Sequence, residues 1–313
     1  MVPRRRNAGK LSAPAKIVNH SSKAALTGAV FLSLEAVIVY KLASKEGAGA
    51  TVVRVGSASF GDGGFTMIAG PCAIESRAQI ELTAKFVTSA GAAMVRGGAY
   101  KPRTSPYAFQ GLGEEGVKLI AAACRTAGVP AVVEALSETQ LLVLDWYVDM
   151  IQIGARNMQN FTLLQAAART GKPVLLKRAP FATLDEVLYA AEYILLEGNP
   201  NVVLCERGVR GFDPQTRNLF DLGGALRLKE LTHLPVIADP SHATGRASLI
   251  EPLVLAAAAA GLDGAIVEVH PEPPTALSDA EQALDFNTFA QLMRKLEALR
   301  GSLESRPRLA ACK

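Results

Sequence analysis

From Thr51 onward the chain alternates between short apolar, β-branched runs and longer segments of helical period. The first stretch, TVVRVGSASFGDGGF, switches apolar and polar residues almost one for one and carries a GDGG turn, which predicts a β-hairpin. Eight apolar runs follow at roughly 30-residue spacing, as βαβ units with right-handed crossovers require. They lack polar alternation because parallel strands covered by helices are buried on both faces. The intervening segments are SRAQIELTAKFVTSAG, GEEGVKLIAAACRTAG, SETQLLVLDWYV, MQNFTLLQAAARTG, TLDEVLYAAEYILLEG, TRNLFDLGGALRLKEL, RASLIEPLVLAAAAAG and LDFNTFAQLMRKLEALR. Several open on Ser or Thr and several close on Gly, the residues that cap helix starts and ends. Eight strands and eight helices predict an α/β chain folded as a (β/α)8 TIM barrel. A short N-terminal extension and the hairpin precede the first barrel strand, and such a hairpin can close the barrel's bottom.

Each apolar run also ends on polar residues: Cys72, then Arg96 with Lys101, Glu134, Arg156, Lys177, Arg207, His242 and Glu268. Chemistry at the C-terminal ends of all the strands points to one active site, because the βα loops of a barrel converge above a single packed core.

The 313 residues, 49% hydrophobic and 20% charged, suffice for one barrel and leave no room for a second full domain. The expected organisation is an extension over residues 1–50, a catalytic barrel over 51–300 and a tail over 301–313. A net charge of +4 suggests an acidic partner only until it is located. Arg4, Arg5, Arg6, Lys10, Lys16 and Lys23 precede the first acidic residue, Glu35, and without those six charges the remainder stands at −2. A basic tail without aromatic interleaving predicts no nucleic-acid partner. Four cysteines with no CxxC spacing fit free thiols in a reducing compartment, so the expected location is cytoplasmic. The apolar stretch 24–40 is interrupted by Glu35 and shorter than a bilayer span, so no membrane segment is expected. It reads instead as a packed element or a docking segment.

Two sets of side chains carry candidate chemistry. Cys72, His242, Glu268 and Asp279 come from the ends of strands that neighbour one another around a closed barrel, and from the loop beyond. A thiolate, an imidazole and carboxylates suit one divalent ion of the Mn, Fe, Co or Zn class. Singly, Cys72 would be a small core residue, Asp279 a helix cap and His242 a loop histidine bonded to Asp239. His270 competes with Glu268, since residues two apart on a strand point the same way. His20 and His233 fall in no motif. The second set is cationic: Arg96, Lys101, Arg103, Arg156, Lys177 and Arg207 lie at or just past strand ends. Pairing with local carboxylates such as Glu206, Asp239 or Glu134 would account for any one of them. Six cations around one cavity imply more than one phosphate or carboxylate. Between Lys101 and Gly113, prolines 102 and 106 stiffen a loop in which Arg103, Thr104 and Ser105 offer donors.

These motifs resemble a known family. GPCAIES (70–76), RGGAYKPRTSPYAFQGLG (96–113), QIGARNMQN (152–160), LLKR (175–178), CERG (205–208), DPSHATGR (239–246) and VEVHPEP (267–273) are similar to 3-deoxy-D-arabino-heptulosonate 7-phosphate synthase. The likeness is to the subgroup related to 3-deoxy-D-manno-octulosonate 8-phosphate synthase, and it runs from about Thr51 to about Leu299. The resemblance implies a metal-dependent transferase that condenses phosphoenolpyruvate with D-erythrose 4-phosphate, the first step of the shikimate pathway to aromatic amino acids. It assigns Cys72, His242, Glu268 and Asp279 to the metal. Arg96, Lys101, Arg156, Lys177 and Arg207 go to phosphoenolpyruvate, and Pro102, Arg103, Thr104 and Ser105 to erythrose 4-phosphate. Lys101 and His242 are expected to act in catalysis, Lys101 by donating a proton to the nascent alkoxide, with the metal as Lewis acid on the aldehyde oxygen.

The octulosonate synthase is the nearest alternative, sharing GPC and DPSH. It typically carries Ala-Asn-Arg-Ser-Ser after the lysine where this chain has Pro102-Arg103-Thr104-Ser105, which favours the four-carbon acceptor. A non-catalytic, metabolite-binding barrel would be marked by a lost ligand or cradle residue, and none is lost. A homo-oligomer is expected, a separate chorismate mutase is a candidate partner, and no feedback inhibition by Phe or Tyr is expected because no regulatory domain is evident. Glu134 has no assigned task.

Overall fold

The computed structural model describes residues 40–304. Its centre is a closed barrel of eight parallel strands in the order β10-β3-β4-β5-β6-β7-β8-β9. These are β3 (Thr66–Gly70), β4 (Met94–Arg96), β5 (Ala131–Ala135), β6 (Met150–Ile153), β7 (Val174–Lys177), β8 (Val202–Glu206), β9 (Val236–Ala238) and β10 (Gly264–Glu268). The antiparallel hairpin of β1 (Val53–Val55) and β2 (Ala58–Phe60) precedes them.

Strand parity positions the site. Ile68, Met94, Val132, Met150, Leu175, Val203, Ile237 and Ile266 pack together inside the barrel, while their neighbours Ala69, Val95, Val133, Ile151, Leu176, Leu204, Ala238 and Val267 belong to the core shared with the helices. Side chains alternate along a strand, so two residues beyond each inward apolar position comes the next inward position, at the mouth. Those positions are Arg96, Glu134, Gln152, Lys177, Asp239 and Glu268, with Arg207 two residues past the inward Cys205.

The hairpin plugs the other end: Val53, Val55, Ala58 and Phe60 are buried in the same cluster as the inward-facing strand residues. Its turn is not GDGG. Val55 pairs with Ala58, so the connection is Gly56-Ser57, with Gly56 at φ +55°, and GDGG instead links β2 to β3. A two-residue loop with glycine in the left-handed region matches the twist of a hairpin, which outweighs the glycine count of the longer segment. Phe60 is fully buried. Phe60→Ala is therefore expected to cost about 3–5 kcal/mol in denaturant unfolding, and unchanged stability would contradict the plug.

The outer helices are α1 (Arg77–Ser89), α2 (Glu114–Ala127), α3 (Glu138–Tyr147), α4 (Phe161–Arg169), α5 (Leu184–Leu196), α6 (Leu222–Leu231), then a short α7 (Pro240–Thr244), α8 (Ile250–Ala259) and α9 (Phe286–Glu304). Ser76 caps α1, and Thr183 with Glu186 forms a capping box on α5. Two segments depart from the sequence pattern. TRNLF does not open α6, because Asp221 caps that helix and the preceding residues pair back, Val209 with Leu219. The DPSHAT segment is not a loop but α7, with Asp239 as its cap and proline at its first position.

Upstream of the hairpin, Ala43 is buried, its N–H and that of Leu42 donate to Glu192 Oε1 at 2.6 and 2.7 Å, and Ser44 bridges to Thr232. The stretch expected at 24–40 lies outside the described residues except for Tyr40, and most of the tail expected at 301–313 lies outside them too. No helix among the described residues is long and apolar enough to cross a membrane.

Candidate active site

At the mouth, one thiol, one imidazole and two carboxylates converge. Ligand atoms of Cys72, His242, Glu268 and Asp279 all lie within 4.8 Å of one another, the one such group among the described residues. Cys72 follows β3, Glu268 ends β10, His242 stands on α7, and Asp279 sits in the loop after β10. Hydrogen bonds knit the cluster. Cys72 Sγ lies 2.9 Å from Asp279 Oδ2 and 3.0 Å from Ser278 Oγ, and Lys101 Nζ lies 2.9 Å from the same sulfur. Glu268 Oε1 accepts from Arg96 Nη1 at 2.5 Å and lies 3.1 Å from His242 Nε2, while Oε2 accepts from the buried amide of Gln282 at 2.5 Å.

Asp239 orients the histidine. Its Oδ1 accepts the His242 backbone N–H at 3.0 Å, and its Oδ2 pairs with His242 Nδ1 at 2.7 Å and with Lys177 Nζ. An ionised Asp239 fixes the ring proton on Nδ1 and leaves Nε2 toward the cluster, the arrangement that metal-binding histidines use. Burial disfavours the imidazolium, yet the Asp239 and Glu268 carboxylates outweigh it and raise His242 to about 10. Burial also disfavours the Asp239 and Glu268 carboxylates. His242 and then Lys177 hold Asp239 well below the ordinary range, as His242 and Arg96 do for Glu268.

Beside this corner opens a cavity of about 380 Å³. Six cations line it, Lys101, Arg103, Arg156, Lys177, Arg207 and Arg217, against the carboxylates of Glu134 and Asp279. Arg96, below the cavity, and Lys177 and Arg217, on its wall, pair with Glu268, Asp239 and Asp279, whereas Lys101, Arg103, Arg156 and Arg207 form no ion pair among the described residues. Local pairing thus accounts for three of these seven cations and leaves four facing the cavity or its rim. Burial lowers the pKa of Arg207; Asp239 opposes that shift and Arg217 adds to it. The turn that aims Arg207 is pinned from outside the barrel: Glu206 Oε1 accepts the Gly208 N–H at 2.6 Å, and its Oε2 accepts from Arg178 Nη1 at 2.8 Å. Arg156 is exposed at the rim, with Nη1 3.3 Å from the Pro102 carbonyl. Arg103 Nε donates to the Phe109 carbonyl at 3.0 Å, folding its own loop.

Most of the expected residues meet here. Pro102, Arg103 and Thr104 line the cavity, but Ser105 does not; its hydroxyl accepts the Tyr107 N–H at 3.3 Å. Arg96 lies beneath the cavity floor and not on it, 3% exposed, with a buried Nε that has no hydrogen-bond partner. His270 is turned away from the cluster, 3.4 Å from Glu75 Oε2 and accepting the Glu272 N–H at 3.1 Å. His233 is structural, between Thr51 Oγ1 and the Leu42 carbonyl at 2.6 Å each, and His20 lies outside the described residues.

Glu134 lines the cavity, accepts from Gln152 Nε2 at 3.3 Å, and faces Gly154, where a Cβ would run into its carboxylate. Sequence reasoning missed Gln152, Asp239 as a member of the site, Gln282 and Arg217, naming Asp239 only as a local partner for His242 or for a cation. Strand parity would have found the first two. The other two sit on loops without periodicity.

The sequence model of the DAHP synthetase I family matches residues 45–304. Phospho-2-dehydro-3-deoxyheptonate aldolase of Thermotoga maritima is 49% identical over 265 residues, 84% of this chain and 78% of that protein. The crystal structure of that Thermotoga maritima enzyme superposes with a TM-score of 0.82 at 48% identity, covering 84% of this chain and 78% of that one. A 2-dehydro-3-deoxyphosphooctonate aldolase of Acidithiobacillus ferrooxidans is 31% identical over 252 residues, 74% of this chain and 88% of that protein.

Proposed function

Because the chain belongs to the DAHP synthetase I family, we propose that its barrel mouth condenses phosphoenolpyruvate with D-erythrose 4-phosphate and water to 3-deoxy-D-arabino-heptulosonate 7-phosphate and phosphate. One observation carries the reading: a cavity lined by Lys101, Arg103, Arg156, Lys177 and Arg207 opens against a corner of four metal-type donors. Two phosphorylated anions need the first, and an aldehyde acceptor uses the second.

Cys72, His242, Glu268 and Asp279 are the residues that would hold one divalent ion, and their mixed soft and hard donors fit the Mn, Fe, Co or Zn class. When bound, such an ion supplies Lewis-acid polarisation of the aldehyde oxygen. Lys177, Arg156 and Arg207 neutralise phosphoenolpyruvate from the cavity wall, with Lys101 at its edge and Arg96 as a buried cation below the floor. The segment from Pro102 to Ser105 takes the aldose phosphate through Arg103 and Thr104, while Ser105 shapes the turn. Bringing two anions into contact is the largest obstacle, and these cations lower it. The C3 of phosphoenolpyruvate then bonds to the aldehyde carbon. Lys101 Nζ delivers a proton to the oxygen formed there, water adds at C2, and the C2–O bond to phosphate breaks.

The 49% identity to the heptonate aldolase against 31% to the octonate aldolase accords with a four-carbon acceptor, as does Pro102-Arg103-Thr104. The deciding experiment strips the protein with a chelator and assays both aldose phosphates after adding back Mn, Fe, Co or Zn. Turnover with erythrose 4-phosphate should return with at least one ion; turnover with arabinose 5-phosphate alone would reverse the choice of substrate. We assign the catalysis to residues 51–300. The proposal includes a cytoplasmic homo-oligomer, with a separate chorismate mutase as its candidate partner and residues 1–50 as an extension to which no role is assigned.

A further inference from the structure

The four donors of the metal corner stand on unequal supports. Glu268 ends a barrel strand and Cys72 follows one within two residues, so the barrel holds both. His242 is on the five-residue α7, and Asp279 is in a loop, at φ +53° the only non-glycine among the described residues in the left-handed region. That conformation costs of order 1 kcal/mol and persists only where surrounding contacts hold it.

One dipeptide touches both. The Arg217 backbone N–H donates to the Thr244 carbonyl at 3.0 Å, the Asn218 N–H to the Ala243 carbonyl at 2.8 Å, and Asn218 Nδ2 to the His242 carbonyl at 3.3 Å. These bonds stitch the loop after β8 along α7. From that anchor the Arg217 side chain runs across Gly245, where an added Cβ would lie 3.2 Å from both its Cβ and Nε. Its Nη2 then reaches Asp279 Oδ1 at 3.2 Å, while Asp279 Oδ2 faces Cys72.

We propose that Arg217 and Asn218 form a clamp that holds His242 and Asp279 in register with the strand-borne Cys72 and Glu268, Arg217 being a positioning residue for Asp279. The clamp rests on the metal reading given above and extends it to residues outside the ligand set. Arg217 spends its charge on one carboxylate oxygen, so the other is presented to the thiol in a fixed orientation. A side chain at 245 would crowd Arg217 and push it aside by a few tenths of an ångström. Partners of metal ligands typically change affinity about 10- to 100-fold when removed.

The test is a Co²⁺ titration of the chelator-stripped full chain, followed through thiolate–cobalt absorption, on wild type, Arg217→Gln, Arg217→Lys and Cys72→Ala. Arg217→Gln should weaken Co²⁺ binding about 10- to 100-fold, and Arg217→Lys should recover part of the loss. The metal-free melting temperatures should stay close together, because the Arg217–Asp279 pair is partly exposed, 44% on the arginine side. The KM for phosphoenolpyruvate at saturating metal should stay near that of wild type. Unchanged Co²⁺ affinity in Arg217→Gln, or a raised KM with unchanged affinity, overturns the clamp and makes Arg217 a spectator or a substrate contact. If Arg217→Gln does not fold, Arg217→Lys decides by the same criterion. Tight Co²⁺ binding by Cys72→Ala, measured as metal retained after gel filtration because that variant has no thiolate to absorb, would sink the metal reading itself, an outcome distinct from failure of the clamp.

Discussion

Cys72→Ala is expected to lose bound metal and to reduce turnover by at least about a thousandfold, while the protein stays folded. The sulfur occupies the centre of the cluster, within 3.0 Å of Ser278 Oγ, Asp279 Oδ2 and Lys101 Nζ. Removing it takes away the one soft donor and leaves Lys101 with only the Cys72 carbonyl, at 3.0 Å, to hold it. Loss of Lewis-acid stabilisation at a developing alkoxide is worth several kcal/mol, and about 4 kcal/mol is a factor of roughly a thousand. Stability should change little, by about 1 kcal/mol, because the substitution deletes one buried atom and no strand contact. Metal content by elemental analysis, steady-state rates and thermal melts check the three parts. Full turnover without stoichiometric metal would remove the ion from the mechanism.

The barrel was legible because parallel strands covered on both faces leave an unambiguous pattern, uniform apolar runs separated by helical periods. The site was legible to the extent that it obeys strand parity. Arg96, Glu134, Lys177 and Glu268 stand two residues beyond inward apolar positions, and Arg207 two beyond the inward Cys205. Gln152 obeys the same rule but was hidden by Arg156, a charge four residues on that belongs to a one-turn 3₁₀ segment and reaches only the rim. Asp239 was seen as a partner that would make His242 structural, or as a carboxylate to pair with one cation. In fact both descriptions hold, since Asp239 binds His242 and thereby aims it at the other donors.

Arg217 and Gln282 are of another kind. Arg217 lies on the long loop after β8, which the spacing of Leu219, Phe220 and Leu222 had disguised as the start of α6. Gln282 lies on a short 3₁₀ turn. Their contacts depend on how loops return over the mouth, and no local period encodes that. The position of the hairpin turn was lost for a related reason. Glycine density in GDGG outweighed the single Gly56, yet pairing of Val55 with Ala58 leaves space for only two residues.

Lys177 joins the cationic arc of the cavity to the corner of metal-type donors, and its removal should separate stability from catalysis. Lys177 and Asp239 are both buried, and Asp239 Oδ2 is shared between Lys177 Nζ and His242 Nδ1. Lys177→Met is expected to lower kcat/KM for phosphoenolpyruvate by about 10²–10³, the usual cost of deleting one preorganised charge contact in a closed site. It should also destabilise the fold, by somewhat less than the roughly 3–5 kcal/mol seen when a buried charge loses its only partner, because His242 still faces Asp239. Adding Asp239→Asn removes the uncompensated charge but keeps an oxygen for the α7 cap. The double variant Lys177→Met/Asp239→Asn should therefore recover part of the lost stability and none of the lost activity. A double-mutant cycle on denaturant midpoints and on kcat/KM measures both couplings. If the double variant is less stable than the sum of the single changes, the pair is not compensating a buried charge. Recovery of activity along with stability would mean that Lys177 serves the fold and not the substrate.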